Sequence, residues 1–299
     1  MRRTLFICIG ISLAIQFGQA FADSKEEKKS SSEILASAPD GAWKDFDPEN
    51  LIVIELLRGK VVVALSHALA QNHTEQIKTL AREGFYDGLS FYRVIDGFVA
   101  QGGDLFETRE LKNAKKSLAA EFDETTPPNI GISLLKDSDG YADEVGFIGY
   151  LPAGRDRAEN KVWHLHCTGA MAMARDTAKD TGGTEFYITL QPQRYLDRNL
   201  SVFGRVVDGM EHLQALRRVA PAETVDGDLG DLIVSMRVAA DLPDEDKPSL
   251  QYLRTDSNLF ADYTEARRNR PEDFFYFRPN HIDICAADVP VRDAAKISK

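Results

Sequence analysis

The chain has 299 residues, of which 43% are hydrophobic and 28% are charged. This length allows one large domain or two small ones, and the composition is that of an ordinary soluble globular protein. The formal net charge of −11 argues against a nucleic-acid partner, because proteins that bind nucleic acids carry basic patches.

The first 22 residues are typical of a secretory signal. Arg2 and Arg3 form a basic start, residues 5–17 form an apolar run, and residues 20–22 form a small-x-small cleavage site. We favour the general secretory route over the twin-arginine route, because the sequence after the paired arginines does not fit the latter. The apolar run is too short for a membrane anchor. We therefore expect an exported protein, in the periplasm or else secreted, with no membrane insertion after signal removal.

Residues 23–47 predict a disordered leader, because they are rich in Lys, Glu, Ser and Ala and show no periodicity. From Leu51 onward, the apolar runs LIVIELL and KVVVALS surround Arg58 and Gly59, which predicts a first hairpin. The main domain is therefore expected to begin near residue 48.

A short helix is predicted after this hairpin. Ile77 and Leu80 would lie on its apolar face, Asn72 or Thr74 would cap its first turn, and Gly84 would end it.

Residues 91–104, with the sequence FYRVIDGFVAQGGD, predict two short strands joined by a tight turn. The Asp-Gly pair between two apolar runs is a strong hairpin signal, because both turn residues must tolerate positive φ. Strict alternation would put Arg93 on the same face as Phe91 and Ile95. A lone arginine there would ordinarily lay its stem over apolar surface and keep its head in water.

Residues 105–168 form a long connection that contains NIGISLL and VGFIGYLP. A bare loop of this length and apolar content would be unusual in a compact domain. We therefore expect this insertion to fold partly onto the main domain with one extra hairpin.

The runs GAMAMAR, TEFYITL, SVFGRVV and LIVSMRVAA predict the remaining strands, with a helix from Asp208 through Val219 before the last of them. The total is eight strands and two helices. Eight antiparallel strands can close into a barrel that side chains fill and that has no free edge. The predicted fold class is therefore mainly β.

Residues 242–299 predict a C-terminal extension. A linker with two prolines precedes a capped helix with Leu259, Phe260, Tyr263 and Ala266 on one side, and extended apolar pieces follow it. So short a segment cannot hold a stable core alone. We expect this helical and extended tail to pack on the barrel.

Four stretches together resemble the cyclophilin-type peptidyl-prolyl cis-trans isomerases: FYRVIDGFVAQGGD, GAMAMARD, GGTEFYITL and YLDRNLSVFGRVVDGM. The resemblance continues in register from about residue 51 to 239, interrupted by an insertion longer than the family's usual connection. It implies that residues 48–241 form a cyclophilin-like barrel capped by two helices, with the substrate groove on the outer wall.

By the same resemblance, Arg93 would donate a hydrogen bond to the prolyl nitrogen as the amide twists. The residues that would line the proline pocket are Phe98, Val99, Tyr187 and Leu196. Those that would hold the substrate chain are Gln101, Ala174 and Arg175, the last through its main chain.

Four positions depart from the family's usual residues. Where many members have asparagine, glutamine, tryptophan and histidine, this chain has Arg175, Glu185, Tyr195 and Leu200, and we include them among the substrate-binding residues. Tyr195 predicts weak binding of cyclosporin, because tyrosine offers a smaller platform and no indole N–H. Glu185 would either pair with Arg93 and hold it in place or compete with the substrate for it.

Two cysteines, Cys167 and Cys285, remain after the signal. In an exported chain they would form one disulfide or stay as two buried thiols. His164 and His166 beside Cys167 resemble part of a zinc site, but a fourth ligand is not apparent, so we favour a plain strand. Residues 137–140 favour a turn over a calcium loop, because the acidic spacing of such a loop is missing. No metal or cofactor is expected.

The leading interpretation is an exported peptidyl-prolyl isomerase that binds proline-containing polypeptides and assists their folding. One alternative is a chaperone module that grips such segments with weak or no turnover. Another is a scaffold in which the insertion and the extension dock a partner, which an exposed apolar patch on the extension would favour. We expect a monomer.

Overall fold

The computed structural model describes residues 28–220 and 229–297, so the predicted signal and residues 23–27 of the predicted leader lie outside the described residues. The described residues contain sixteen β-strands, which are β1 (Trp43–Asp45), β2 (Leu51–Leu56), β3 (Gly59–Leu65), β4 (Ser90–Val94), β5 (Val99–Gly103), β6 (Glu124–Thr125), β7 (Ser133–Leu134), β8 (Glu144–Ile148), β9 (Leu151–Asp156), β10 (Lys161–His164), β11 (Ala170–Met173), β12 (Phe186–Thr189), β13 (Val202–Asp208), β14 (Asp231–Val238), β15 (Leu250–Leu253) and β16 (Val291–Asp293).

The same residues form five α-helices, which are α1 (Ser31–Ala36), α2 (Gln71–Arg82), α3 (Met210–Gln214), α4 (Asn258–Arg268) and α5 (Ala294–Ile297).

Eight of the strands form a closed antiparallel barrel in the order β11-β12-β5-β4-β14-β2-β3-β13, with β11 and β13 paired to complete the ring. The predicted eight-stranded barrel is confirmed. Its interior is filled by apolar side chains of all eight strands together with Ile77 and Leu80 of α2 and Leu213 of α3. The barrel is a packed core, so a ligand must bind on its outer wall.

The two barrel helices differ in detail from the prediction. Residues 215–219 do not continue α3, because Val219 instead exchanges backbone hydrogen bonds with Val94 of β4. The prediction that Gly84 ends α2 is confirmed, since the helix stops at Arg82 and Gly84 has φ +66°, but the prediction for its N-terminal cap is wrong. Thr74 is buried and donates its hydroxyl to the carbonyl of Ser66, while the first N–H groups of the helix bind the carboxylate of Glu121 in the insertion.

The insertion is more extensive than the single hairpin expected. Strands β6 to β10 form a separate five-stranded sheet in the order β6-β10-β9-β8-β7. Phe147, Leu151 and Trp163 of this sheet pack on Leu51 and Val62, which lie in β2 and β3 outside the barrel core. The insertion therefore covers part of the barrel's outer wall.

The prediction of a disordered leader is wrong for its described part. Strand β1 pairs with β15 of the extension, and Ile34 and Phe46 are buried in the same apolar cluster as the insertion sheet. The helix α1 begins with a capping box between Ser30 and Glu33. The leader has few apolar residues, but the extension supplies the surface that buries them.

The C-terminal extension lies against the barrel and the insertion. Its strand β15 forms a three-stranded sheet with β1 and β16, and Phe260 and Tyr263 of α4 are buried against the insertion sheet. The predicted amphipathic helix is confirmed, with Ser257 as its cap. The sulfur atoms of Cys167 and Cys285 are bonded, which ties the extension to the segment before β11.

One loop of the extension leaves three aromatic side chains in solvent. Phe274, Tyr276 and Phe277 are 82%, 99% and 80% exposed. The alternative of a docking role predicts an apolar patch of this kind. In the described part of the chain, no helix combines the length and the apolar character needed to cross a membrane.

The disulfide predicts a specific loss of stability. It joins residues 118 positions apart, for which the chain-entropy model gives a stabilisation of roughly 4–5 kcal/mol. We expect Cys285→Ser to lower the free energy of unfolding by about 2–5 kcal/mol in denaturant titrations. The control is the wild type with dithiothreitol, which should match the variant. Equal stability of oxidised wild type and variant would contradict the prediction.

Candidate active site

Arg93 reaches the outer wall because β4 contains a register shift. Phe91 and Val94 both lie in the barrel core, three positions apart, so strict alternation is broken between them. The two residues in between, Tyr92 and Arg93, both reach Gln101. The prediction that Arg93 shares a face with Phe91 is therefore wrong. A β-bulge inserts one extra residue and re-aims the side chains that follow it, and bulges are common beside active sites.

Gln101 of β5 links Arg93 to Tyr92. Its Oε1 accepts a hydrogen bond from Nη1 of Arg93 at 3.3 Å, and its Nε2 donates to the Tyr92 hydroxyl at 2.6 Å. The guanidinium of Arg93 also lies over the ring of Phe98, 5.3 Å from its centroid. Two neighbours thus fix the direction of the guanidinium, and its other N–H groups have no hydrogen-bond partner among residues 28–220 and 229–297.

An apolar cluster separate from the barrel core lies beside this guanidinium. Val99, Ala172, Tyr187 and Val202 are buried in it, and further apolar side chains pack on its surface. Above the cluster is a pocket of about 180 Å³, which is lined by Arg93, Phe98, Val99, Gln101, Ala174, Arg175, Tyr187, Leu196 and Leu200. The structure therefore brings together nine of the eleven predicted site residues.

The other two predicted residues do not line the pocket. Tyr195 is 58% exposed, although its neighbour Leu196 belongs to the pocket wall. Glu185 lies outside the pocket lining, with its carboxylate against Gly103, where the backbone has φ +142°. A Cβ at position 103 would clash with the Glu185 carboxylate, and this φ lies in the region that favours glycine, so the glycine permits the approach.

The carboxyl group of Glu185 is buried with neither oxygen in a hydrogen bond to the described residues. Burial, together with the nearby Asp104 and Glu107 carboxylates, raises the pKa of this carboxyl to about 7, against the lowering effect of the adjacent Tyr92 hydroxyl and Asp104 N–H. Burial and the Glu185 carboxylate likewise raise the pKa of the Tyr92 hydroxyl. Of the two alternatives considered for Glu185, an ion pair with Arg93 is not formed among the described residues.

The Arg175 side chain is occupied by main-chain carbonyls. Its guanidinium donates to the carbonyls of Asn199, Asp176 and Thr177, and it lies 5.2 Å from the ring centroid of Phe122 in the insertion. Sequence reasoning missed Phe122, because it reaches Arg175 only through the fold of the insertion, and Tyr92, because only the register shift in β4 brings it to Gln101.

Comparisons with known proteins match this arrangement. Residues 51–238 match the family model "Cyclophilin type peptidyl-prolyl cis-trans isomerase/CLD". The chain belongs to the cyclophilin-type peptidyl-prolyl cis-trans isomerases. It is 30% identical over 195 residues to a probable peptidyl-prolyl cis-trans isomerase of Brucella suis, a match that covers 65% of this chain and 85% of the relative.

Two further relatives agree with this assignment. Peptidyl-prolyl cis-trans isomerase B of Bacillus subtilis is 32% identical over 152 residues, which are 51% of this chain and 79% of that protein. The crystal structure of cyclophilin AquaCyp293 from Hirschia baltica is similar with a TM-score of 0.66 and 30% identity, over 77% of this chain and 89% of that one. The structural likeness therefore extends beyond the barrel residues.

The residues considered for metal binding have other partners. His164 bonds to Ser66 and to the carbonyl of Pro152, while Asp137 pairs with Arg268 of the extension. Cys167 is in the disulfide. Across residues 28–220 and 229–297, no three His, Cys, Asp or Glu side chains lie close enough to hold a metal ion.

Glu185 predicts a pH dependence of the isomerase's stability. Its pKa of about 7 lies above the ordinary value of 4.5. Between these two pH values the folded protein therefore binds more protons than the unfolded chain, and its free energy of unfolding falls as the pH rises. We expect Glu185→Gln to be more stable than the wild type at pH 8 by roughly 1–3 kcal/mol and to lose that advantage near pH 5.

Denaturant titrations at the two pH values check this expectation. Glu245→Gln, at an exposed glutamate of the extension, is the matched control and should show no such pH-dependent difference. If the difference in free energy of unfolding between Glu185→Gln and the wild type is the same at pH 5 and pH 8, the expectation is contradicted.

Proposed function

We propose that this cyclophilin-type isomerase acts on Xaa-Pro bonds of exported proteins and assists their folding outside the cytoplasm, with the 180 Å³ pocket as its proline site. The observation that carries the proposal is the joint position of Arg93 and the apolar cluster under Phe98, because the reaction requires these two features side by side.

The reaction has a barrier of about 18–20 kcal/mol, because resonance makes the C–N bond partly double. No covalent bond is made or broken, so the enzyme must bind the twisted amide better than either planar form. Twisting localises a lone pair on the prolyl nitrogen and reduces the amide dipole. A cation beside that nitrogen and an apolar wall that withholds water from the polar planar forms both lower the barrier.

In this mechanism Arg93 donates a hydrogen bond to the prolyl nitrogen of the twisted amide. Gln101 and the Phe98 ring hold the guanidinium in advance, so little reorganisation accompanies the twist. A million-fold acceleration requires about 8 kcal/mol. A charged hydrogen bond contributes roughly 1.5–3 kcal/mol, so desolvation by the apolar wall, which includes Val99 and Tyr187, supplies a large part of the remainder.

The test of this mechanism is Xaa-Pro exchange measured by NMR on a proline peptide. Arg93→Ala should reduce the exchange rate by about 10- to 150-fold, which corresponds to one charged hydrogen bond. Arg254→Ala is the control, since that arginine pairs with Asp256 in the extension and should leave the rate unchanged. Full exchange by a folded Arg93→Ala protein would refute the proposed site.

Two features support action outside the cytoplasm. The first 22 residues have the pattern of a secretory signal. Disulfides such as Cys167–Cys285 form and persist mainly in oxidising compartments.

When the full chain is expressed in a Gram-negative bacterium, cell fractionation should find a protein beginning at Asp23 in the periplasm, and deletion of residues 2–22 should leave it in the cytoplasm. An uncleaved cytoplasmic full chain would refute export.

A further inference from the structure

A buried histidine lies directly behind the proposed proline pocket. The side chain of His166 is inaccessible to solvent, and its Nε2 lies 2.8 Å from the hydroxyl oxygen of Tyr187, whose ring forms part of the pocket wall. Its Nδ1 lies 3.0 Å from Oδ1 of Asp197, and its backbone N–H donates to the same oxygen at 2.9 Å. The two rings are nearly parallel, with an angle of 11° between them.

For the neutral imidazole, the chemistry of the three groups gives these hydrogen bonds one direction. A carboxylate only accepts, so Nδ1 of His166 carries the proton that is donated to Asp197. Burial raises the pKa of the Tyr187 hydroxyl well above its ordinary value, so the hydroxyl stays protonated and can donate to Nε2. Asp197 thereby selects the tautomer of His166 that accepts the hydrogen bond from Tyr187.

The network continues into the insertion. Nε of Arg194 donates to Asp197 at 2.6 Å, and its two terminal nitrogens donate to the two oxygens of Asp139 at 2.8 Å each. Arg194 and both carboxylates are buried, and the ring of Tyr141 lies 5.1 Å from the guanidinium. A hydrogen-bonded chain therefore runs from the turn at Asp139 to the wall of the pocket.

We propose that His166 is a positioning residue for the isomerase reaction. Through the hydroxyl of Tyr187 it holds the tyrosine ring against the site where the proline ring binds, and Asp197, Arg194 and Asp139 hold His166 in turn. The inference rests on the proposed function of the pocket. The Tyr187 ring touches the proline in the planar and twisted forms alike, so its position controls substrate affinity more than the rate of twisting.

The matched pair His166→Asn and His166→Gln separates this role from general support of the fold. The asparagine amide extends only to the position of Nδ1, so it keeps the bond to Asp197 and loses Tyr187. The glutamine amide extends to the position of Nε2 and can still meet the hydroxyl. We expect His166→Asn to raise KM about 5- to 10-fold with kcat nearly unchanged, the effect of one lost hydrogen bond, and His166→Gln to restore most of the affinity.

His164→Asn is the control for the loss of a buried histidine. His164 is buried like His166, but its hydrogen bonds within the described residues go to Ser66 and Pro152 and not to Tyr187. We expect His164→Asn to lower stability and leave KM unchanged. An unchanged KM in folded His166→Asn, or an equal rise in KM in both variants, would overturn the inference.

Tyr187→Phe keeps the test decisive if His166→Asn fails to fold. This variant removes the hydroxyl and retains the ring, so it should also raise KM, and adding His166→Asn to it should raise KM no further. A wild-type KM in Tyr187→Phe would overturn the inference.

The outcomes also separate this inference from the proposed function of the pocket. Loss of exchange in Arg93→Ala together with a wild-type KM in His166→Asn would refute only the role of His166. Full exchange in Arg93→Ala would refute the pocket itself.

Discussion

Closure of the eight-stranded sheet is the constraint on which the rest of this structure depends. A closed sheet has no free edge, and its interior is filled by side chains such as Phe91, Phe186 and Phe203, so neither edge nor interior can receive a polypeptide. Binding must therefore use side chains on the outer wall. There the register shift in β4 turns Arg93 outward beside a separate apolar cluster, so that a cation and a desolvating surface meet on a rigid support.

The segments outside the barrel cover a different part of that wall. The leader, the insertion sheet and the extension bury one another and the outer residues of β2 and β3 in a second apolar core. None of the three could bury its apolar residues alone, since each is short, and together they form one body bound to the barrel. The pocket residues Phe98, Val99 and Leu200 lie outside this second core, which leaves the site accessible.

The sequence was sufficient to predict those strands and site residues that short runs, turns and motifs specify. Apolar runs and the Asp-Gly turn predicted the barrel strands, and the motif stretches predicted nine residues that meet at one pocket. The failures depend on contacts that the pattern of the sequence does not show. The bulge before Arg93 depends on pairing with β5, the cap of α2 comes from Glu121, and the order of the leader depends on a strand some 200 residues later. Glu185 was ambiguous because only the fold shows that it faces Tyr92 and Gly103.

Two of the added segments meet the isomerase site at neighbouring residues. The extension is bonded to Cys167, and the insertion reaches His166 through Asp139, Arg194 and Asp197. Both attachments lie just before β11, the strand that carries Ala172 and ends next to Ala174 at the pocket. Cys167 is held by a covalent bond and its neighbour His166 by a buried hydrogen bond to Asp197. The added segments therefore anchor the backbone at the start of the strand that leads to the proposed proline pocket, although none of the residues that line the pocket belongs to them.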